Sequence, residues 1–205
     1  MSNKKMVGKS AAFFDFDGTV TAKDSFIDFL WFSLKKTEFI LGFILLSPLV
    51  LLYLTKILPN WKMKELVLKI FYHGWKLSKF KKKCQEYGRQ KLPKIIRPEA
   101  QEKINWHRRN GHDVAIVTAT TKYYLKEWCN KQKIKLIATE METENGKITG
   151  NIKGKICYGE EKARRIREEY NLSKYDCIYA YGNSRGDLPM LNLANVKYYN
   201  WKKLS

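Results

Sequence analysis

Apolar and polar positions change rhythm twice along this chain of 205 residues. Residues 11–14 are a short uninterrupted apolar run, the mark of a strand buried on both faces. The run leads directly into Asp15-Phe16-Asp17-Gly18-Thr19-Val20. From Asp24 to Trp106 strand-like alternation is almost absent, which predicts helices. Residues 25–34 open behind Asp24 or Ser25 as N-cap, and 63–70 carry apolar residues at helical spacing. Segments 78–90 and 98–110 read as two further helices, the second with Pro98 in its first turn and Glu99 and Glu102 near its positive end. From Gly111 short apolar runs and helical patterns alternate, which predicts a parallel sheet with crossover helices. Strands are expected at 113–117, ending at Thr118, and at 135–138, 177–181 and 196–199, the last closing the sheet. Helices are expected at 122–131, 160–170 and 188–193. Residues 140–152 form a hairpin around a type I′ turn at Asn145-Gly146.

Within the helical stretch, residues 39–55 run for seventeen positions without a charge. A helix of that length spans about 25 Å, short of a hydrocarbon core of about 30 Å. Pro48, preceded by Ser47, lies near its centre and predicts a split into a helical hairpin. Lys35 and Lys36 precede the run and Lys56, Lys62 and Lys64 follow it, which suits a segment whose two ends stay on one side of a membrane. Two placements stay open, a hairpin dipping into a membrane surface and one buried in an accessory domain. Trp31, Tyr53 and Trp61 flank the run, as interfacial anchors or as plain packing.

Composition narrows the class. A net charge of +19, from 39 basic and 20 acidic residues, points to a polyanionic partner, either nucleic acid or an anionic membrane. The clusters Lys79, Lys81-Lys82-Lys83, Arg108-Arg109 and Arg164-Arg165 each read as solvated faces, so only the total carries weight. No basic stripe is interleaved with stacking aromatics, which argues against nucleic acid. Cys84, Cys129, Cys157 and Cys177 form no CxxC pair and MSNKKMVGKS lacks an apolar signal core, so a cytoplasmic setting is expected. His73, His107 and His112 lack metal-ligand spacing and read as surface or structural residues.

Chemistry is expected past the carboxyl ends of the parallel strands. Three such ends carry Asp15 and Asp17, then Thr118, then Gly182-Asn183-Ser184-Arg185-Gly186-Asp187, and Lys162 opens the intervening helix. A lone DxD is either a metal and phosphate site or an acidic turn. Alternation along a strand aims Asp15 and Asp17 the same way, and Gly18 lets the backbone turn behind them.

These segments together resemble the haloacid dehalogenase superfamily of phosphatases. The four motifs occur in order as DxDGTV at 15–20, an apolar strand ending in Thr118, Lys162 in GEEK, and GNSRGD at 182–187. The resemblance spans nearly the whole chain. It implies a Rossmann-like parallel core of residues 1–20 and 107–205, with a helical cap of residues 21–106 inserted between the first and second motifs. It implies Asp15 as a nucleophile that becomes an aspartyl-phosphate and binds Mg2+, and Asp17 as a metal ligand through its carbonyl and the acid and base through its carboxyl. Lys162 then neutralises charge, while Thr118, Ala119 and Gly18 belong to the phosphate cradle. A carboxylate attacks a phosphate dianion only where cations neutralise both, and an all-oxygen site suits Mg2+. The phosphoserine phosphatase-like branch (subfamily IB) usually has GDxxxD as its fourth motif. Asn183 replaces the first aspartate here, leaving Asn183 or Asp187 as the direct metal ligand.

The insertion carries the clue to substrate. Phosphoserine phosphatases have a glutamate nine residues past the nucleophile to read the amine; Asp24 stands there, as a substrate ligand or simply a helix N-cap. The KDSF stretch, the apolar cap, ATEMETENGKITG and YGEEK look more like the branch containing phosphatidylglycerophosphatase C. That resemblance implies hydrolysis of a phosphorylated glycerolipid by a peripheral or monotopic protein on the inner membrane face. Two other readings stand beside it: a soluble phosphatase of a small metabolite, and a binding protein without useful turnover.

Overall fold

Ser10–Phe14 (β1) has no charged side chain and is buried along its whole length, so it must lie inside a sheet covered on both faces. The computed structural model describes residues 8–55 and 60–204 and places β1 at the centre of six strands. After β1 come four helices, Ser25–Ser33 (α1), Lys36–Leu54 (α2), Asn60–Tyr72 (α3) and Leu77–Gln90 (α4), and then Pro98–Arg109 (α5). Asp113–Thr121 (β2), Lys122–Gln132 (α6) and Lys135–Thr139 (β3) follow, with a two-stranded hairpin of Met141–Glu144 (β4) and Lys147–Ile152 (β5). Glu160–Glu169 (α7), Cys177–Gly182 (β6), Leu188–Leu191 (α8), Val196–Tyr199 (β7) and Lys202–Lys203 (β8) complete the described order. The sheet runs β3-β2-β1-β6-β7-β8, with every neighbour parallel except β8. This is the α/β, Rossmann-like arrangement that the alternating pattern predicts.

Strand alternation divides the core between the two faces. Phe13 faces a cluster with Val117, Ala180, Ile166 and Met190, so α7 and α8 cover that side. Phe14 faces the other, with Ile116, Tyr181, Ile104 and Leu125, so α5 and α6 cover it. The larger cluster continues without a break into α1, α3 and α4. Phe29 of α1 stacks on Tyr124 of α6 at 4.9 Å between centroids and meets Tyr72, Phe80 and Tyr87 edge or face. Aromatic pairs of this kind add about 0.5–1.5 kcal/mol each beyond area burial, so the insertion is tied firmly to the sheet layer.

Three boundaries differ from the pattern-based expectation. The apolar run is one helix, α2, and not a hairpin broken at Pro48. Pro48 has no N–H for the carbonyl of Ile44, and the hydroxyl of Ser47 donates to that carbonyl at 2.7 Å, which repairs the ladder locally. Helix α2 lies against α3, with Phe39 and Phe43 near the start of α2 packed on Phe71 near the end of α3. Strand β2 continues past Thr118 to Thr121, with a register shift against β3 that leaves Ala119 and Thr120 out of the ladder. And β7 does not close the sheet: Asn200 and Trp201, both at positive φ, turn the chain back into the antiparallel edge strand β8. Lys56 and the side chain of Trp61, considered above as flanks of the apolar run, lie outside the described residues, as do residues 1–7. The hairpin turn at Asn145-Gly146 has φ of 47° and 72°, as a type I′ turn requires.

His107 is a structural residue with a measurable consequence. It lies fully buried on α5, with Nε2 2.8 Å from the Tyr181 hydroxyl and Nδ1 2.8 Å from Nδ1 of His112. Burial, with the charges of His112 and Lys103, pushes its pKa down to about 3 from 6.5. Below pH 6.5 the unfolded chain therefore takes up a proton that the folded chain refuses. The associated stability is fully present above 6.5 and drains as pH falls toward 3. We expect wild type to lose on the order of 3 kcal/mol more than His107→Gln between pH 7.5 and 4, read by urea unfolding. Equal losses would refute this.

Candidate active site

The turn after β1 is where the sheet meets the insertion. Asp15 donates its N–H to the carbonyl of Tyr181 on β6 at 2.9 Å, which carries the β1–β6 pairing up to the turn. Gly18 takes φ of +80°, and a Cβ there would lie 2.2 Å from Nδ2 of Asn183. Glycine is thus needed both for the turn and for the approach of the loop after β6. The indole N–H of Trp201 donates to the carbonyl of Thr19 at 3.1 Å and braces the same turn.

Lys162, third residue of α7, is 1% exposed and reaches back to the strand ends. Its Nζ donates to Oδ1 of Asp15 at 2.5 Å and to Oδ1 of Asp187 at 2.6 Å. Burial pushes the Asp15 carboxyl up to about 6 from 3.8; Lys162 opposes that and Asp187 adds to it. The Lys162 ammonium pays its own burial penalty, but the two carboxylates outweigh it and hold its pKa above the usual lysine value. Among the described residues, Oδ2 of Asp15 accepts only from Thr19 Oγ1, at 3.1 Å.

Asp187 folds back on its own loop. Its Oδ2 accepts from the N–H of Asn183 at 3.1 Å, the N–H of Ser184 at 2.9 Å and the hydroxyl of Ser184 at 2.7 Å. Both of its oxygens are therefore engaged by protein donors. Asn183 makes no side-chain hydrogen bond among the described residues, and its amide leans over Gly18. Thr118 is 1% exposed; its Oγ1 accepts from the N–H of Thr120 at 3.0 Å, which leaves its own proton free to donate. Phe14 pairs with Ile116, so Thr118 and Ala119 stand at the same sheet edge as Asp15.

Asp17 is turned toward the insertion. Its Oδ1 accepts from the N–H and hydroxyl of Ser25 at 2.8 and 2.5 Å, and its Oδ2 from the hydroxyl of Thr120 at 2.5 Å. Asp24 caps α1, with Oδ1 accepting from the N–H groups of Phe26 and Ile27, one of the two roles the sequence left open for it. Next to Thr120 a cavity of about 10 Å³, room for one water-sized atom, is lined by Lys64, Thr121 and Thr139 among others. Among the described residues the buried hydroxyl of Thr121 has no hydrogen-bond partner.

Among the described residues no three His, Cys, Asp or Glu side chains come together as a metal cluster. The donors that remain are the lightly used Oδ2 of Asp15 and the unengaged amide oxygen of Asn183. Both are hard oxygen ligands, so the residues present fit a small hard cation such as Mg2+ better than a soft one.

Asp15, Asp17, Thr118, Lys162 and Asp187 all fall within the part of the chain that a family model matches. The family model described as haloacid dehalogenase-like hydrolase covers residues 12–192. The chain belongs to the haloacid dehalogenase-like hydrolases. Among relatives of this hydrolase, Protein CicA of Caulobacter vibrioides is 30% identical over 189 residues, 91% of this chain and 83% of that protein. A Mycobacterium tuberculosis protein named as a phosphatase is 28% identical over 194 residues, 89% of this chain and 66% of its own. In fold, the hydrolase is similar to a phosphoserine phosphatase solved as a phospho-aspartyl intermediate analogue, with a TM-score of 0.64 and 16% identity over 93% of this chain and 85% of that one.

For this hydrolase, motif spacing missed Thr19, Ser25, Thr120 and Tyr124. Thr19 lies inside DxDGTV and was available as a polar residue one turn from Asp15. Thr120 was hidden because β2 was expected to stop at Thr118. Ser25 meets Asp17, and Tyr124 meets Ser25, only through the fold, across 8 and 99 residues of sequence separation respectively.

Proposed function

We propose that this chain is a Mg2+-dependent phosphomonoester hydrolase working through an aspartyl-phosphate on Asp15. The observation that carries the reading is the buried Lys162 ammonium held between Asp15 and Asp187 at a strand-end turn. Oxygen of Asp15 attacks phosphorus while the bond to the leaving alcohol breaks, and Asp17 delivers a proton to the departing oxygen. Water then attacks the aspartyl-phosphate and gives its proton to Asp17, which releases phosphate and restores Asp15. Lys162 neutralises Asp15 and the phosphoryl oxygens, Thr118 donates to one of those oxygens, and backbone N–H groups after Asp15 through Gly18 complete the cradle. Asp15, the Asp17 carbonyl and Asn183 would hold Mg2+, with Asp187 supporting through water, and the ion would offset the charge of nucleophile and phosphate. In this reading residues 21–106 supply the cap over a core of residues 1–20 and 107–205, except that the start of α5 within that range lies on the sheet, and Asp24 serves the cap as helix N-cap.

For substrate, we favour a phosphorylated glycerolipid headgroup presented at an anionic membrane surface, as in the phosphatidylglycerophosphatase C branch. Helix α2 supports this reading. Its inner face packs Phe39, Phe43, Leu46, Leu49 and Val50 on the core cluster, while Ile40, Leu41, Ile44 and Leu45 are 54%, 66%, 63% and 65% exposed. Four large aliphatics on one exposed stripe are unusual for a surface bathed in water. Trp31 and Ile27 extend the apolar surface, and Lys35 precedes the helix and Lys36 begins it. No helix among the described residues is long and apolar enough to cross a membrane. A second reading, a small-metabolite phosphatase, is favoured by the likeness in fold to phosphoserine phosphatase.

One screen separates them. Phosphate release from phosphatidylglycerophosphate in anionic vesicles is expected to exceed release from phosphoserine by at least about tenfold in kcat/KM, and to require Mg2+. Replacing Leu41 and Ile44 together by lysine should lower vesicle binding without lowering hydrolysis of p-nitrophenyl phosphate. A preference for phosphoserine, or no cosedimentation of wild type with anionic vesicles, would reject the lipid reading and leave the metabolite one.

A further inference from the structure

We propose that Thr120, together with Ser25 and supported by Tyr124, positions the carboxyl of Asp17 for proton transfer at the leaving group; this rests on Asp17 being the acid and base. Three donors converge on that one carboxylate, and they come from two different parts of the chain. Ser25 is the first residue of α1 in the insertion, and Thr120 sits where β2 slips its register against β3. Ser25, Thr120 and Tyr124 are 0%, 2% and 1% exposed. Buried hydroxyls of this kind are costly unless each finds a partner, and here they find Asp17 and one another.

A second layer stops Ser25 from turning away. Its Oγ lies 3.1 Å from the hydroxyl of Tyr124, and its carbonyl accepts from the hydroxyl of Tyr87 at 3.3 Å. Rotation of the Asp17 side chain therefore breaks contacts to the sheet and to α1 together. The register slip is needed for this arrangement. A regular ladder would have paired Ala119 and Thr120 with β3, whereas leaving them out frees Thr120 to reach across to the turn after β1.

Correct aim matters most where proton transfer is hardest. A simple alkoxide is too basic to leave phosphorus unprotonated, while p-nitrophenolate leaves readily as an anion, so only the first depends strongly on the acid. The kcat/KM value reports the first irreversible step, in which the bond from Asp15 to phosphorus forms and the leaving oxygen takes its proton.

The test compares glycerol phosphate with p-nitrophenyl phosphate in wild type, Thr120→Val, Thr120→Ser, Ser25→Ala and Asp17→Asn. Thr120→Val is expected to lower kcat/KM about tenfold or more for glycerol phosphate and less than about threefold for p-nitrophenyl phosphate. Thr120→Ser, which keeps the hydroxyl, should return glycerol phosphate to within about threefold of wild type. Ser25→Ala is read in the same way and carries the test if Thr120→Val does not fold. Equal losses on both substrates, while Asp17→Asn keeps the leaving-group dependence, overturn the proposal and leave the phosphatase reading intact. If Asp17→Asn also lacks that dependence, Asp17 is not the acid, and both the assignment and the proposal fall.

Discussion

Asp15→Asn is expected to lower kcat by at least about a thousandfold on any phosphomonoester the wild type hydrolyses, while the protein remains folded. The amide is nearly isosteric, so packing around 7% exposed Asp15 is kept. It is a poor nucleophile and forms no stable phosphoryl ester. Stability should move the other way. Burial raises the Asp15 carboxyl to about 6, so between pH 3.8 and 6 the folded chain holds a proton that the unfolded chain has lost. The stability linked to that proton is complete below 3.8 and is lost as pH rises through 6. Ionised Asp15 is thus a cost at neutral pH, and its removal should leave stability unchanged or raise it, by on the order of 1–3 kcal/mol at most, with the melting temperature unchanged or higher. Steady-state kinetics and thermal melts at pH 7.5 check both halves. Retained turnover would remove Asp15 from the chemistry; lost turnover with a large fall in stability would make the kinetic loss uninformative.

Lys162→Met should fail on both counts. Removing the ammonium leaves Asp15 and Asp187 buried with no cation between them. Breaking a buried pair from one side typically costs about 3–5 kcal/mol. Activity should fall at least about a hundredfold, because the charge that offsets the incoming phosphate is gone. Lys162→Met combined with Asp187→Asn removes one of the stranded carboxylates. The pair should recover part of the stability and none of the activity, a non-additive outcome that urea unfolding resolves. A single mutant as stable as wild type would mean that the carboxylates are not ionised in the folded state.

What a sequence displays depends on how local the cause is. Strand β1 and its acidic turn were legible because four apolar residues, two carboxylates and a glycine act within ten positions. The I′ turn at Asn145-Gly146 and the cap at Asp24 were legible for the same reason. Pro48 misled, since its effect on α2 is undone by one hydroxyl, that of Ser47, which propensity does not register. The true end of β2 was not legible, because the register slip at Ala119 and Thr120 depends on how β3 pairs. So Thr118 was found as the end of an apolar run, and Thr120, two residues on, was not. His107 looked like an ordinary surface or structural residue on a basic helix. Only the meeting of α5 with Tyr181 buries it completely. At the site itself, residue types were legible and their commitments were not. Spacing alone offers Asn183 and Asp187 equally to a cation, yet the loop turns Asp187 onto three donors of its own, while the side-chain amide of Asn183 makes no hydrogen bond among the described residues.

Rapid quenching of wild type during turnover of a phosphate-labelled monoester tests the central claim most directly. The result predicted is close to one phosphoryl group per chain, stable to acid, released by hydroxylamine, and located on the peptide that contains Asp15. It should require Mg2+ and be absent from Asp15→Asn. Turnover with no trapped phosphoryl group under burst conditions, or label on a peptide other than that one, would contradict it.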